Sequence, residues 1–266
     1  MYIKRTTFVV TQRCTLKCKL CLAFMPYYEN PIHTTYDQAC RIIDNYFKIV
    51  NKVGIFSVTG GEPLMNPDLV PIMEHILKHC GQIENSIDIV TNGTIMFQED
   101  LLNFLEKNNT KMRIIISNYG KNLSTKINAI EEALNQIGVT YRIQNYDSES
   151  TEWTYDGWVD FTDHSLKHDT EEKLKRQGAR CIFRQGHYWV INDGELHPCS
   201  RQYWRMRKGI IPKDKDWYLD LNELQMDLEE QRMKLQQLEQ VPYLKSCAYC
   251  NGVYNGIKRY KPAEQL

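Results

Sequence analysis

Three cysteines, Cys14, Cys18 and Cys21, follow directly on a β-branched run at 7–11, and no other feature limits the chain's folding and chemistry as strongly. The Cys-x3-Cys-x2-Cys spacing gathers three soft thiolates in one loop at the end of a strand. Such a triangle suits three irons of a [4Fe–4S] cluster and leaves the fourth iron open to an outside ligand. A structural zinc would take a fourth protein ligand nearby. The only nearby imidazole, His33, lies twelve residues beyond Cys21, so zinc is the weaker account. The chain holds nine cysteines. An odd number without a signal-type leading segment speaks for metal binding over a disulfide framework.

Beyond this loop, strand-like and helix-like segments alternate. Short β-rich runs at 7–11, 54–59, 87–91, 113–117 and 139–144 are separated by segments with helical apolar spacing at 36–50, 67–80, 98–107 and 123–137. In the second helix the stripe is Val70, Met73, Ile76 and Leu77, with Asn66 the expected N-cap. Strands separated by helices pair in parallel, which gives an α/β sheet or barrel with its working site at the carboxyl ends of the strands. A sixth strand is expected near 158–161, inside an acidic and aromatic stretch holding Trp153, Tyr155, Asp156, Trp158 and Phe161. Further on, Asn192-Asp193-Gly194 marks a hairpin between 188–191 and 195–197, because Asp-Gly favours a tight turn. The segment 219–240 reads as a charged helix, its run from Leu228 to Glu239 a solvated face, and the tail after Cys250 as an extension. With 33 basic and 33 acidic side chains there is no charge excess for a nucleic-acid partner or an anionic membrane. No apolar run approaches the roughly 18 residues of a membrane span.

Thr59-Gly60-Gly61-Glu62-Pro63 stands at the carboxyl end of the second strand-like run. Paired glycines permit close backbone approach to a ligand, and a carboxylate beside them suits an ammonium group. The cysteine loop and this motif, in this order, resemble the radical S-adenosylmethionine (radical SAM) superfamily over residues 6–145. The resemblance implies a partial (β/α)6 TIM-like barrel within residues 1–175 and a [4Fe–4S] cluster on Cys14, Cys18 and Cys21. It implies SAM chelated to the open iron, with Gly60, Gly61, Glu62 and Pro63 at the methionine amino group. It also implies further SAM contacts from Thr91 and Asn92 after the third strand and from Ser117 and Asn118 after the fourth. Taken alone these are ordinary strand-to-loop turns. Gln144 and Asn145 are weaker candidates of the same kind. The residue before the last cysteine, often aromatic in the family, is Leu20 here, a small departure at a position that acts through its backbone.

The later cysteines form the pattern Cys181-x12-Gly194-x4-Cys199, then Cys247-x2-Cys250. This looks like the family's twitch appendage, a shortened relative of the SPASM domain, here expected over 176–266 as a small β-hairpin and helix unit. There, four cysteines close a second, auxiliary [4Fe–4S] cluster; a zinc ribbon with the same four ligands stays open as the alternative. No further cysteine is left in this half of the chain for the second auxiliary cluster of a full SPASM domain.

The implied reaction is reductive cleavage of SAM to a 5′-deoxyadenosyl radical, hydrogen abstraction from substrate, and oxidation with the auxiliary cluster as electron acceptor. Epimerisation of a sugar, modification of a ribosomal peptide, and a non-catalytic electron-transfer or sensing role remain alternatives. Seven cysteines are assigned, and Cys40 and Cys80 read as buried, inert thiols on outer helices, which disfavours the thiol hydrogen donor of an epimerase. With its first strand close to the start of the chain, a peptide-leader-binding domain is not expected. That favours a small polar substrate such as a sugar, aminocyclitol or nucleotide-sugar. Aromatics in 153–161 suit stacking on a sugar face, and Arg201, Arg205, Arg207 and Lys208 suit a phosphate; core aromatics and an ordinary basic surface loop are the alternatives, slightly favoured for any single residue. A low-potential donor such as flavodoxin or ferredoxin and a cytoplasmic, low-oxygen setting complete the expectation. His75 and His79 share one helix face and are expected to face solvent; His164 and His168 likewise have no anchor.

Overall fold

The computed structural model describes residues 1–146, 157–224 and 227–266. Trp153, Tyr155 and Asp156, expected to stack on substrate, lie outside the described residues. Strand and helix alternate through β1 (Tyr2–Thr11), α1 (Tyr36–Ile49), β2 (Lys52–Gly60), α2 (Leu69–Leu77), β3 (Ile83–Thr91), α3 (Glu99–Lys107), β4 (Met112–Asn118), α4 (Ile127–Gln136) and β5 (Thr140–Asn145). Then follow α5 (Glu171–Arg180), α6 (Ile182–Gln185), β6 (Tyr188–Asn192), β7 (Glu195–His197), α7 (Ser200–Arg207), β8 (Leu219–Asp220) and α8 (Leu228–Gln240). The strands form one open eight-stranded sheet in the order β5-β4-β3-β2-β1-β6-β7-β8. β1 to β6 pair in parallel, and β7 and β8 are antiparallel additions. This is the expected partial-barrel architecture.

Alternation along each strand separates two faces. Phe8, Phe56, Val58, Ile87, Ile89, Ile114 and Ile116 are buried against α1 to α4, with Ile42, Ile43, Tyr46 and Phe47 of α1 in the same core. The opposite face carries a cross-strand polar ladder. Asp88 is fully buried there; it accepts from Arg113 Nε at 3.0 Å and Nη2 at 2.7 Å, with Arg5 Nη2 at 3.5 Å. By register, Thr59 and Ser117 stand on this polar face at its carboxyl end.

Three helices start later than the sequence expectation, the first two because a side chain is used elsewhere. Helix α2 is shorter than 67–80 because Asn66 does not cap it; its Nδ2 donates to Val10 O at 2.7 Å and Thr34 O at 2.9 Å. Helix α4 starts at Ile127 because Ser124 ties two loops together instead, its Oγ lying 2.7 Å from Asn92 O and 3.1 Å from Ser117 O. Leu219 and Asp220 form β8, and helix starts only at Leu228 on an Asp227 cap. The sixth strand is also displaced. Trp158 makes one isolated bridge to Tyr260, while Val159 and Phe161 are buried with Phe24, Trp204, Cys250 and Val253. Beside β1 stands β6 (Tyr188–Asn192), so the sheet runs unbroken across the 175/176 division.

Candidate active site and auxiliary cysteine site

At the carboxyl edge of β1 the chain turns through Cys14, Cys18 and Cys21, and the end of β2 presses against that turn. Gly61 N–H donates to Thr11 O at 2.8 Å and Glu62 N–H to Arg13 O at 2.9 Å. A Cβ on Gly60 would stand 2.5 Å from Thr11 O; one on Gly61 would stand 2.2 Å from Arg13 O and 2.6 Å from Cys14 Cβ. The glycine pair is therefore required first by the cysteine turn itself. The Glu62 carboxylate is sealed from solvent and accepts from Asn92 N–H at 2.7 Å, Thr91 Oγ1 at 2.9 Å and Leu64 N–H at 3.2 Å. An ionised carboxylate has about four acceptor positions, so one is left. Burial pushes its pKa up to about 7 against the pull of those three donors.

Asn92 returns to the cysteine turn, its Nδ2 donating to Thr15 Oγ1 at 3.0 Å and standing 3.5 Å from Cys14 Sγ. Through Ser124, Asn92 is joined to Ser117 as well, while Asn118 Nδ2 donates to Asn145 Oδ1 at 2.8 Å. The structure thus brings the cysteine turn, Gly60 to Pro63, Thr91, Asn92 and Ser117 into one hydrogen-bonded unit. Burial pushes the Cys14 thiol to about 12 and Cys18 to about 11, and raises Cys21. Metal taken up here must displace those protons.

A second cysteine site lies beyond β6. Asp193 and Gly194 adopt positive φ, 51° and 76°, in the β6–β7 turn, and Cys199 precedes α7. The short helical turn Lys245–Tyr249 carries Cys247 and leads into Cys250. Together with Cys181 these line one small cavity, whose wall includes Phe183, Arg184 and Arg201. Arg205 braces the turn, with Nη1 donating to Ser246 O and Oγ and Nη2 to Tyr249 O, each at 2.8 Å. Arg201 is 1% exposed and lies over Phe161 at 4.4 Å and Phe183 at 4.7 Å. Burial drives Cys247 to about 12. Cys250 is buried too, yet the guanidiniums of Arg201 and Arg205 outweigh that effect and hold its thiol below the ordinary value. A tetrahedral zinc draws thiolates to about 3.8 Å from one another, given Zn–S bonds of about 2.3 Å. Among the described residues, the one group of three His, Cys, Asp or Glu ligand atoms within 4.8 Å of each other is Asp44, His75 and His79. Neither cysteine set is such a group among the described residues.

Residues 8–128 match the family model of the radical SAM superfamily. The chain carries a radical SAM domain. Its curated relatives include the GTP 3′,8-cyclase of Limosilactobacillus fermentum (strain NBRC 3956 / LMG 18251), 34% identical over 90 residues, 33% of this chain and 26% of that protein. The GTP 3′,8-cyclase of Aquifex aeolicus (strain VF5) is 28% identical over 142 residues, 50% of this chain and 40% of that protein. The chain thus spans less than half the length of these relatives. Among solved structures, BtrN in complex with AdoMet and 2-DOIA aligns with TM-score 0.58 and 12% identity, covering 99% of this chain and 98% of that one. Native anSMEcpe with bound AdoMet aligns with TM-score 0.55 and 14% identity, covering 88% of this chain and 82% of that one. At these identities the likeness is one of fold. The radical SAM family implies SAM and a SAM-binding [4Fe–4S] cluster, and three thiols in one turn fit it.

Around the radical SAM domain, several expectations need correction. The basic residues after Cys199 form no phosphate site: Arg201 and Arg205 are buried at the second cysteine site, Arg207 faces Asp193 at 3.7 Å, and Lys208 pairs with Glu29 at 2.6 Å. His75 is buried, and both His75 and His79 place Nε2 2.8 Å from Asp44 Oδ1. Lys78 Nζ, a donor only, lies 3.3 Å from His75 Nδ1, which leaves His75 Nε2 as the N–H facing Asp44. The trio is a hydrogen-bonded clamp between α1 and α2. Nor are His164 and His168 without anchors: His164 packs against Phe24 and Trp204, and His168 Nε2 lies 3.2 Å from Cys250 O. Cys80 is exposed and Cys40 half-buried, so neither is a core thiol.

Two features went unread. The tail does not extend away; Lys19 N–H donates to Glu264 O at 2.7 Å, Leu266 N–H to Lys17 O at 2.9 Å, and Gln265 Nε2 stands 3.4 Å from Cys18 Sγ. Gln12 joins the two sites, its Nε2 donating to Asn192 Oδ1 at 3.0 Å.

Proposed function

We propose that this chain is a radical SAM oxidoreductase that takes a hydrogen atom from a small polar, carbohydrate-like molecule and completes a two-electron oxidation through a second cluster. The observation that carries this reading is the joining of a three-cysteine turn and a four-cysteine cavity through one sheet, β1 beside β6. When bound, the first cluster with SAM supplies reductive cleavage to methionine and a 5′-deoxyadenosyl radical, and the second supplies a one-electron acceptor. Cys14, Cys18 and Cys21 hold the first cluster. Gly60, Gly61 and Pro63 shape the methionine end, and Glu62 offers its remaining acceptor position to the methionine amino group. Thr91, Asn92, Ser117 and Asn118 edge the rest of SAM. Cys181, Cys199, Cys247 and Cys250 hold the auxiliary cluster in 176–266, and 1–175 orients substrate and keeps water out.

Electrons balance with one entering from a low-potential donor such as flavodoxin or ferredoxin and one leaving the substrate with a proton, turning a CH–OH into C=O. The seven cysteines so used leave Cys40 on α1 and Cys80 beyond α2, on the helical side of the sheet. This favours oxidation over thiol-assisted epimerisation. Likeness to BtrN in complex with AdoMet and 2-DOIA over 99% of the chain supports a small-molecule substrate. No helix of the described residues is long and apolar enough to cross a membrane; the oxygen lability of such clusters supports a cytoplasmic setting.

The curated names favour a second reading, cyclisation of GTP, over the 26–40% of those proteins that match. One experiment separates the two. Reconstituted protein with SAM and reductant is offered deuterated aminocyclitols and sugars, or GTP, without oxygen. Deuterium in 5′-deoxyadenosine with a ketone product supports the oxidoreductase; a cyclised GTP product, or no label transfer from any alcohol, overturns it.

A further inference from the structure

We infer that Arg201 donates N–H groups from Nε and Nη1 to sulfur of the auxiliary cluster and thereby raises the potential at which that cluster accepts an electron. This rests on the auxiliary-cluster reading and names the residue that makes the cluster a usable acceptor.

A buried guanidinium is costly unless its donors and charge are met. Arg201 is 1% exposed, yet among the described residues its Nε and Nη1 have no hydrogen-bond partner. Those atoms belong to a side chain in the wall of the cavity lined by Cys181, Cys199, Cys247 and Cys250. The rings of Phe161 and Phe183, 4.4 and 4.7 Å from the guanidinium carbon, hold it by cation–π contact. The neighbouring arginines have fewer donors to spare: Arg205 spends Nη1 and Nη2 on Ser246 and Tyr249, and Arg184 spends Nη2 on Val241 O at 2.8 Å and keeps only Nε without a partner among the described residues. Arg201 alone has both a buried charge and two idle donors at the cysteines. Arg201 also sits one residue into α7, which begins directly after Cys199, so its backbone moves with a ligand.

The consequence is electrostatic. A four-thiolate [4Fe–4S] site carries net charge of about −2 when oxidised and about −3 when reduced. A fixed positive charge favours the more negative state, and N–H donors to sulfur act in the same direction. A raised potential makes loss of the second electron from the substrate favourable, which commits the reaction to oxidation.

The test uses the full chain with Cys14, Cys18 and Cys21 replaced by Ala, so that only the auxiliary cluster remains. Iron is counted, and the midpoint potential is read by EPR-monitored titration in this parent and in its Arg201→Gln and Arg201→Lys forms. The expected result is about four irons per chain throughout. The midpoint should fall in Arg201→Gln and fall less in Arg201→Lys, which keeps the charge without the fork of donors. An unchanged midpoint with iron retained overturns the role of Arg201 alone; a parent without iron overturns it together with the auxiliary cluster. If Arg201→Gln takes up no iron, protein with unmutated Arg201 and ¹⁵N-labelled arginine decides. Arginine nitrogen coupling in the hyperfine spectrum of the reduced cluster is expected, and its absence overturns the inference.

Discussion

Glu62 offers the most quantitative prediction. Its carboxylate is fully buried, holds three protein donors, and has its pKa pushed up to about 7 by burial. In the free protein it is therefore protonated on the acid side of neutrality. Contact with the methionine amino group favours the ionised form, so SAM binding should expel the proton. A group with pKa about 7 is half protonated at pH 7, about nine-tenths at pH 6 and about one-tenth at pH 8. Wild type should therefore release about half a proton more per SAM than Glu62→Gln at pH 7, nearly one more at pH 6, and almost none at pH 8. The same linkage weakens SAM binding as pH falls: the factor 1 + 10^(7−pH) is about 11 at pH 6, or about 1.4 kcal/mol. Glu62→Gln should flatten that dependence and bind SAM about 10-fold to 100-fold more weakly, for loss of a charge-assisted hydrogen bond. The assay is anaerobic calorimetry of cluster-loaded protein in two buffers of different ionisation enthalpy, in parallel for both forms. Identical proton release from wild type and variant at pH 6 and 7 would refute the placement of Glu62 at the amino group.

Other perturbations follow from the same geometry. Gly61→Ala forces a Cβ to 2.2 Å from Arg13 O, so reconstituted protein should lose about half its iron, that of the first cluster, by colorimetric assay. Cys250→Ala should leave SAM cleavage intact and abolish oxidised product, read as 5′-deoxyadenosine formed without ketone. Asp88→Ala strands Arg113 and Arg5; because both guanidiniums are about one-third exposed, the loss in urea unfolding should be about 2 kcal/mol, below the roughly 3–5 kcal/mol of a fully buried pair.

How much of this was legible in the sequence depends on the range of the interactions. The cysteine turn, the Gly-Gly-Glu-Pro stretch and the Asp193-Gly194 hairpin are local signals: each needs a backbone shape or a donor set that a few adjacent residues specify. The alternation of apolar strands and amphipathic helices likewise placed the first five strands and the four helices between them, since Ile87, Ile89, Ile114 and Ile116 all face the helices. Trp158 to Phe161 misled because apolar residues packing into the small core around Trp204 alternate as a strand does. Gln265 meets Cys18 across 247 residues of chain, and no local pattern announces such a contact. Arg201 and Arg205 looked like a surface cluster because charged residues on a short helix ordinarily face water. Their burial follows from thiols and carbonyls brought from Ser246 to Cys250, far along the chain. Asp88 was unread for a related reason: its partners Arg113 and Arg5 come from other strands.

The most direct measurement is 5′-deoxyadenosine formed by anaerobically reconstituted protein given SAM and a strong reductant, with iron counted in the same sample. Wild type, at about eight irons per chain for two clusters, is expected to form it, and Cys14→Ala is expected to form none. A wild-type sample with that iron content and no 5′-deoxyadenosine, or equal formation by Cys14→Ala, would contradict a SAM-cleaving cluster on the N-terminal cysteine turn.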